Sequence, residues 1–361
     1  MKTFLKFFTA ASIVLALTCC NSEQNSAESG SNDNSENVTD NQNTNITVPG
    51  SEFFGNPAEL NASSYAEWAG CRSSPYGMEE FPDVDGWATY VNRMASFYKK
   101  SETQYSTGAL VWIVGVVESD RPGITCQLNF PEPSGITVPE GLAFSDEDGN
   151  EEYLDMFDAA GFDVWLQVES GFVDIVELAK IVMNQYKHHK CVKGFGIDVE
   201  WYKNTTDGND GTPLDDTTAK NVDNAVKGVD SSYSVFVKHY SSRWLPPKYR
   251  GKNNDMIFVT DSQYFDSFEE MAEHYTGWAE KYAPNPVFFQ IGYEGEKEDE
   301  DDPDEIGSDE RIWREFNKPL QAFGQAILDS VNESENQAVK AQKKGIIWVD
   351  FTFEKAYGMS E

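Results

Sequence analysis

Basic residues are scarce in this chain. Across 361 residues there are 28 Lys and Arg against 61 Asp and Glu, a formal net charge of −33, with only 4 His. Too few cations are present to neutralise phosphates, which argues against nucleic acid or an anionic membrane surface as partner. Cysteine is sparse as well, with 5 residues, no C-x-x-C pair and no Cys/His spacing that marks a metal site. No segment recurs at a fixed period, which excludes a solenoid or propeller. No Gly-rich phosphate fingerprint follows any strand-like run, which disfavours a doubly wound nucleotide-binding sheet. What the chain has in abundance is acid. That keeps it soluble and suits a neutral or cationic ligand.

The N-terminus reads as a targeting segment. Lys2 and Lys6 make a basic start, and the apolar stretch 7–17 is too short to span a bilayer as a stable helix. It ends in Leu17-Thr18-Cys19-Cys20, which resembles a bacterial lipoprotein signal, where one Cys becomes the lipidated first residue. Such signals place Leu three residues before that Cys, so Cys20 is the expected site and Cys19 the alternative. The resemblance implies a signal peptide over 1–20 and an exported lipoprotein of the outer membrane or cell surface. Its only membrane contact would be the lipid. Residues 21–50 are rich in Asn, Ser and Glu and lack aromatics, so they read as a disordered tether. A single folded domain is expected over 51–361. Export permits one disulfide, and Cys71–Cys126 is the expected pair, with Cys191 buried.

Within that domain, helical and strand-like stretches alternate. Helical periodicity covers 87–99, 151–160, 173–186, 217–228, 267–282 and 311–331. Strand-like runs cover 109–118, 162–169, 192–200, 234–240, 255–262, 286–293 and 345–351, with a weakly patterned early strand at 67–74. Alternation on this scale predicts an α/β fold, a (β/α)8 TIM barrel.

The decapeptide 193–202, Lys-Gly-Phe-Gly-Ile-Asp-Val-Glu-Trp-Tyr, carries the chemistry. Phe195, Ile197, Val199 and Trp201 fall on one face of a strand, and Gly194, Gly196, Asp198 and Glu200 on the other. An apolar outer face and an acid-bearing inner face describe a barrel strand whose C-terminal end opens on the active-site mouth. The two glycines imply open space beneath the acids. Phe162–Ser170 repeats the pattern, with Trp165, Gln167 and Glu169 opposite Val164, Leu166 and Val168. Two neighbouring carboxyls disfavour joint ionisation, so one holds its proton near neutrality. Glu200, nearer the mouth, is the expected acid, and Asp198 its orienting partner.

These residues resemble the fourth strand of chitinase-like family 18 glycoside hydrolases, Asp-Gly-x-Asp-x-Asp-x-Glu. Gly194, Asp198 and Glu200 match; Lys193 and Gly196 replace the first and middle acids. Val168-Glu169-Ser170-Gly171 resembles the family's Ser-x-Gly-Gly strand end. Gln290-Ile291-Gly292-Tyr293-Glu294 resembles its Gln-Met-x-Tyr-Asp segment, and Gly345-Ile346-Ile347-Trp348 its last strand. The resemblance implies a glycan containing N-acetylglucosamine and retaining, substrate-assisted hydrolysis with no metal or organic cofactor. Glu200 would be the acid, and Asp198 and Tyr293 would complete the catalytic set. Trp348 would floor the sugar pocket, with Glu169, Gln290, Trp201 and Tyr202 as substrate contacts. By strand count Tyr293 lies on the seventh strand rather than the family's sixth, where Asp261 stands instead.

Two other readings stay open. Loss of the middle acid, now Gly196, fits a non-catalytic glycan-binding lipoprotein on the same barrel. A family 25-like muramidase also carries Asp-x-Glu on a strand, but its terminal Trp-Gln-Tyr is echoed only by Phe289-Gln290. Elsewhere, Glu118 ends a strand and Trp244 is a further stacking candidate. His188 and His189 read as a helix C-cap, His239 as a weaker substrate contact, and 294–305 as a solvated acidic loop.

Overall fold

The period-two pattern at 192–200 recurs around a closed ring. The computed structural model describes residues 64–74, 81–206, 211–261, 265–293, 311–349 and 356–357. Eight parallel strands close on themselves. They are β1 (Trp68–Arg72), β2 (Thr107–Val117), β3 (Asp163–Val168), β4 (Val192–Asp198), β5 (Ser234–Lys238), β6 (Ile257–Asp261), β7 (Val287–Ile291) and β8 (Lys344–Val349). The last strand returns to the first in register Trp68↔Gly345 through Arg72↔Val349, so the ring has no open edge. Between the strands lie α1 (Val84–Ser96), α2 (Glu151–Ala160), α3 (Ile175–Tyr186), α4 (Asp216–Val229), α5 (Phe268–Tyr282), α6 (Pro319–Asn332) and the short α7 (Gln337–Ala341). This is the (β/α)8 barrel that the alternation predicts.

The segments 1–20 and 21–50, the lipidation candidates Cys20 and Cys19, and the acidic run 294–305 lie outside the described residues. Among the described residues, no helix is long and apolar enough to cross a membrane.

Element boundaries shift by a few residues from the sequence reading, and two of the differences have identifiable reasons. β1 is weakly patterned because all five of its residues are buried, leaving no polar alternation to see. The helix expected over 311–331 starts only at Pro319, whose missing N–H suits a first helical turn; a 3₁₀ turn, Ile312–Glu315, precedes it. Part of the acid surplus is spent on helix starts. Asp174 accepts from the amides of Val176 and Glu177, and Asp215 from those of Thr217 and Thr218.

Each strand divides its side chains between two cores. Outward residues such as Leu110, Leu166, Phe195, Ile197, Val237 and Ile346 join the helices in the larger one. Inward residues Trp68, Val111, Trp165, Phe236, Val259, Phe288 and Ile347 form a separate cluster inside the ring. Trp68, Trp165 and Phe288 meet edge to face, with centroids 5.5, 5.5 and 5.1 Å apart. Such pairs contribute about 0.5–1.5 kcal/mol each beyond their area burial. The interior is therefore plugged by rings.

The plug corrects one expectation. The glycines below the acids do not leave open space; they admit close neighbours. A Cβ on Gly196 would lie 2.0 Å from the Phe236 ring, and one on Gly194 would lie 1.8 Å from the Ser234 carbonyl oxygen. Gly196→Ala should accordingly cost about 1–3 kcal/mol through overpacking, read as a lower denaturant midpoint. An unchanged midpoint would show that Phe236 does not fill that layer.

The expected Cys71–Cys126 bond is also corrected. Cys71, Cys126 and Cys191 are all buried and none is in a disulfide. β1 turns Cys71 outward, where its Sγ lies 3.4 Å from Met94 Sδ on α1.

Candidate active site

Above the aromatic plug, the inward side chains change character. The last inward positions of five strands are Arg72 (β1), Gln167 (β3), Asp198 (β4), Lys238 (β5) and Asp261 (β6), all buried. Just past the strand ends, Glu169, Glu200 and Tyr293 join them. Glu200 does not continue β4 as the alternation suggests. It sits on a 3₁₀ turn, Val199–Trp201, yet its carboxyl still reaches the ring interior.

Lys238 is the hub. Its Nζ lies 3.2 Å from Asp198 Oδ2, 3.1 Å from Glu200 Oε1 and 2.7 Å from Asp261 Oδ2. Arg72 forms the second cationic centre, 3.6 Å from Asp198 and 3.7 Å from Glu169. Asp198 also accepts from Gln167 Nε2 at 3.2 Å, and Glu169 from the Val117 amide at 3.2 Å. Among the described residues, four carboxyls thus face two cations. Ionising all four would leave two uncompensated negative charges out of water, at several kcal/mol per ion. The cheaper solution keeps protons on part of the set.

The directions of the individual shifts follow. Burial pushes the Glu200 carboxyl well above the usual range, helped by Asp261 and Asp198 and opposed by Lys238. Burial likewise lifts Glu169, with Asp198 adding to it and Arg72 opposing, to about 7. Asp261 goes the other way: burial would raise it, but Lys238 and a hydrogen bond from Glu200 carry it down. Lys238 Nζ, 2.7 Å from Asp261 Oδ2, and the Glu200 carboxyl are the two groups that donate to it. Burial opposes the charge on Lys238, yet three acids around it hold its pKa well above the ordinary value. Glu200 is also the accessible member, its side chain 12% exposed against 1% for Asp198.

Glu169 makes stability depend on pH. A carboxyl whose folded pKa is raised contributes stability that is complete below its unfolded value, 4.5, and is lost as pH rises through about 7. That shift corresponds to roughly 3 kcal/mol across the window. Glu169→Gln should flatten the fall in unfolding free energy between pH 4.5 and 7. An unaltered slope would remove Glu169 from the cluster.

The other sequence candidates divide. Gln290 is buried and donates from Nε2 to the Tyr293 hydroxyl at 2.8 Å. Strict alternation would separate these two, but Gly292 at φ 120° breaks the phase and brings them together. Burial raises the Tyr293 phenol, opposed by Arg72 and Lys238, so its hydroxyl belongs to the same cluster. Trp201 is half-buried on the 3₁₀ turn.

Trp348 and Tyr202 do not join the site. Trp348 faces outward, its ring 6.1 Å from Trp313 and 6.0 Å from Phe323 of α6; it is Ile347 that points into the barrel. Tyr202 is buried in the outer core, its backbone bridged to Gly171 and Lys203 over its ring. Trp244 stacks on His239 at 5.2 Å, and burial lowers that imidazole to about 4, so it is neutral at neutral pH. Glu118 is tied to Arg121 at 3.0 Å on the exposed rim.

Sequence reading missed Lys238 and Arg72. Lys238 ends the inward row Ser234, Phe236, Lys238, a charge closing an otherwise buried face. That was the available signal. Arg72 lay on the strand with no visible alternation.

No family model matches the chain, and no curated protein does. Among solved structures, it is similar to a Parabacteroides merdae β-glucuronidase at 13% identity and TM-score 0.35, covering 62% of this chain and 27% of that one. A second structure of that enzyme, with glycerol in its active site, gives 12% identity and TM-score 0.36, covering 58% and 27%. A calcium-binding mutant of Bacteroides uniformis β-glucuronidase 2 gives 11% identity and TM-score 0.32, covering 58% and 26%. The chain spans about a quarter of the length of these enzymes.

Proposed function

We propose that this barrel is a glycoside hydrolase in which Glu200 is the proton donor. The observation that carries the reading is the surplus of acid over base at the strand ends, with Glu200 more exposed than Asp198 and burial favouring its protonated form. Glycosidic bonds break when the leaving oxygen is protonated as positive charge develops at the anomeric carbon. The resemblance to the family 18 strand supports a glycan containing N-acetylglucosamine, with Gly194 and Asp198 on the fourth strand of the ring and Glu200 on the turn that follows it. β8 follows Tyr293, which speaks against the muramidase alternative.

The proposed reaction retains configuration. Glu200 gives its proton to the glycosidic oxygen as the bond to the anomeric carbon breaks and the substrate's 2-acetamido oxygen bonds to that carbon. Water then adds there, the carbon–oxygen bond to the acetamido group opens, and the Glu200 carboxylate takes the water's proton. Asp198, engaged by Lys238, Arg72 and Gln167, acts as a positioning residue, with what carboxylate capacity remains left for the acetamido N–H. No metal or organic cofactor enters these steps. The signal-like N-terminus supports placing the enzyme as a lipid-anchored protein at the outer membrane or cell surface.

One observation favours a second reading. Asp198 is already engaged by Lys238, Arg72 and Gln167 and only 1% exposed, which suits a site that holds sugar without cleaving it. Incubating the purified chain with chromogenic chitobiosides and an N-glycoprotein, beside Glu200→Gln, separates the two. Release by the parent alone supports the hydrolase; equal binding with no release by both supports the glycan-binding protein.

A further inference from the structure

Away from the barrel mouth, three side chains converge on one point. Glu151 opens α2, and His188 and His189 occupy the turn between α3 and β4. Glu151 Oε1 lies 2.7 Å from His188 Nε2 and 3.3 Å from His189 Nε2, and all three atoms fall within 4.8 Å of one another.

His189 decides what the cluster can do. Its side chain is 1% exposed, and its Nδ1 lies 3.1 Å from Asp158 Oδ2. The other Asp158 oxygen accepts from the Cys191 amide at 2.5 Å, and the Cys191 thiol donates to the Leu154 carbonyl at 3.5 Å. Asp158 is thus fully engaged in fixing this turn. An acceptor at Nδ1 favours a proton there and turns Nε2 toward the Glu151 carboxylate. That buried nitrogen has Glu151 Oε1, at 3.3 Å, as its near neighbour. Nε2 and the Glu151 oxygen stand 3.3 Å apart, a gap that a proton or a metal cation can bridge.

We propose that Glu151, His188 and His189 form a site for a divalent transition cation of the zinc class. Tetrahedral zinc with bonds of about 2.0–2.1 Å sets its ligands roughly 3.3 Å apart, the separation already present between Glu151 and His189. The shorter His188 contact opens by side-chain rotation, since His188 and Glu151 are 54% and 43% exposed. Asp158 is the outer carboxylate that holds the buried imidazole in its metal-binding tautomer. Water completes the shell on the exposed side. Bound metal ties α2 to the turn that leads into β4. The ligand set was invisible to spacing rules because Glu151 lies 37 residues before His188.

The test uses the full-length chain without a histidine tag, stripped with chelator and kept in excess magnesium to occupy the acidic surface. Zinc titration by calorimetry should give one site per chain, and cobalt(II) should give the intense visible absorption of a tetrahedral ion. His188→Ala and Glu151→Gln, both at exposed positions, should each weaken zinc at least about tenfold and abolish the cobalt band. Asp158→Asn should weaken it about 10–100-fold. The chain has only 4 His, and His239 is buried, so few other imidazoles compete. No zinc bound in excess magnesium, or binding that survives both exposed substitutions, overturns the proposal.

Discussion

Replacing Lys238 with Met should lower the unfolding free energy by about 3–5 kcal/mol at neutral pH, the cost of leaving a buried charge partner uncompensated. Met keeps the length of the stem and removes only the ammonium. Asp198, Asp261 and Glu200, each within 3.2 Å of Nζ, would then face one another with Arg72 as their only nearby cation among the described residues. The variant should recover part of the loss at pH 5, where added protons relieve the repulsion. Denaturation at the two pH values measures this. A loss of equal size at both would mean that Lys238 contributes packing rather than charge.

Glu200→Gln carries the second large effect, and it rests on the proposed hydrolase reading. The amide has the shape of the protonated acid but cannot give up a proton, so kcat should fall about 10²–10⁴-fold with KM little changed. Stability should move the opposite way. Burial already favours the neutral form of Glu200, so Gln removes the pressure to ionise and should stabilise the fold as pH rises above neutrality. Chromogenic glycoside kinetics and a denaturation series above pH 7 read both. Loss of activity together with loss of stability would mean a structural ion pair.

How much was legible depended on whether a residue's role was set by its own strand. Phe195, Ile197 and Asp198 took the faces that period two assigns, because β4 is regular to Asp198. Glu200 reached the mouth by a different route, a 3₁₀ turn that period two does not describe. Trp348 was misplaced although its phase was readable: with Gly345 and Ile347 inward, it had to face α6. A family likeness outweighed the pleat there. Lys238 and Arg72 were missed because their partners arrive by ring closure, Asp198 lying 40 residues before Lys238. Tyr293 looked out of phase until the backbone turn at Gly292 was seen.

Infrared difference spectroscopy of the Glu200 carboxyl tests the central claim most directly. The account predicts a protonated-acid carbonyl band in the native chain that survives above the Glu169 titration near pH 7, disappears only as pH is raised further, and is the one lost in Glu200→Gln. A Glu200 that is already a carboxylate at neutral pH, titrating in the ordinary acidic range, would contradict it.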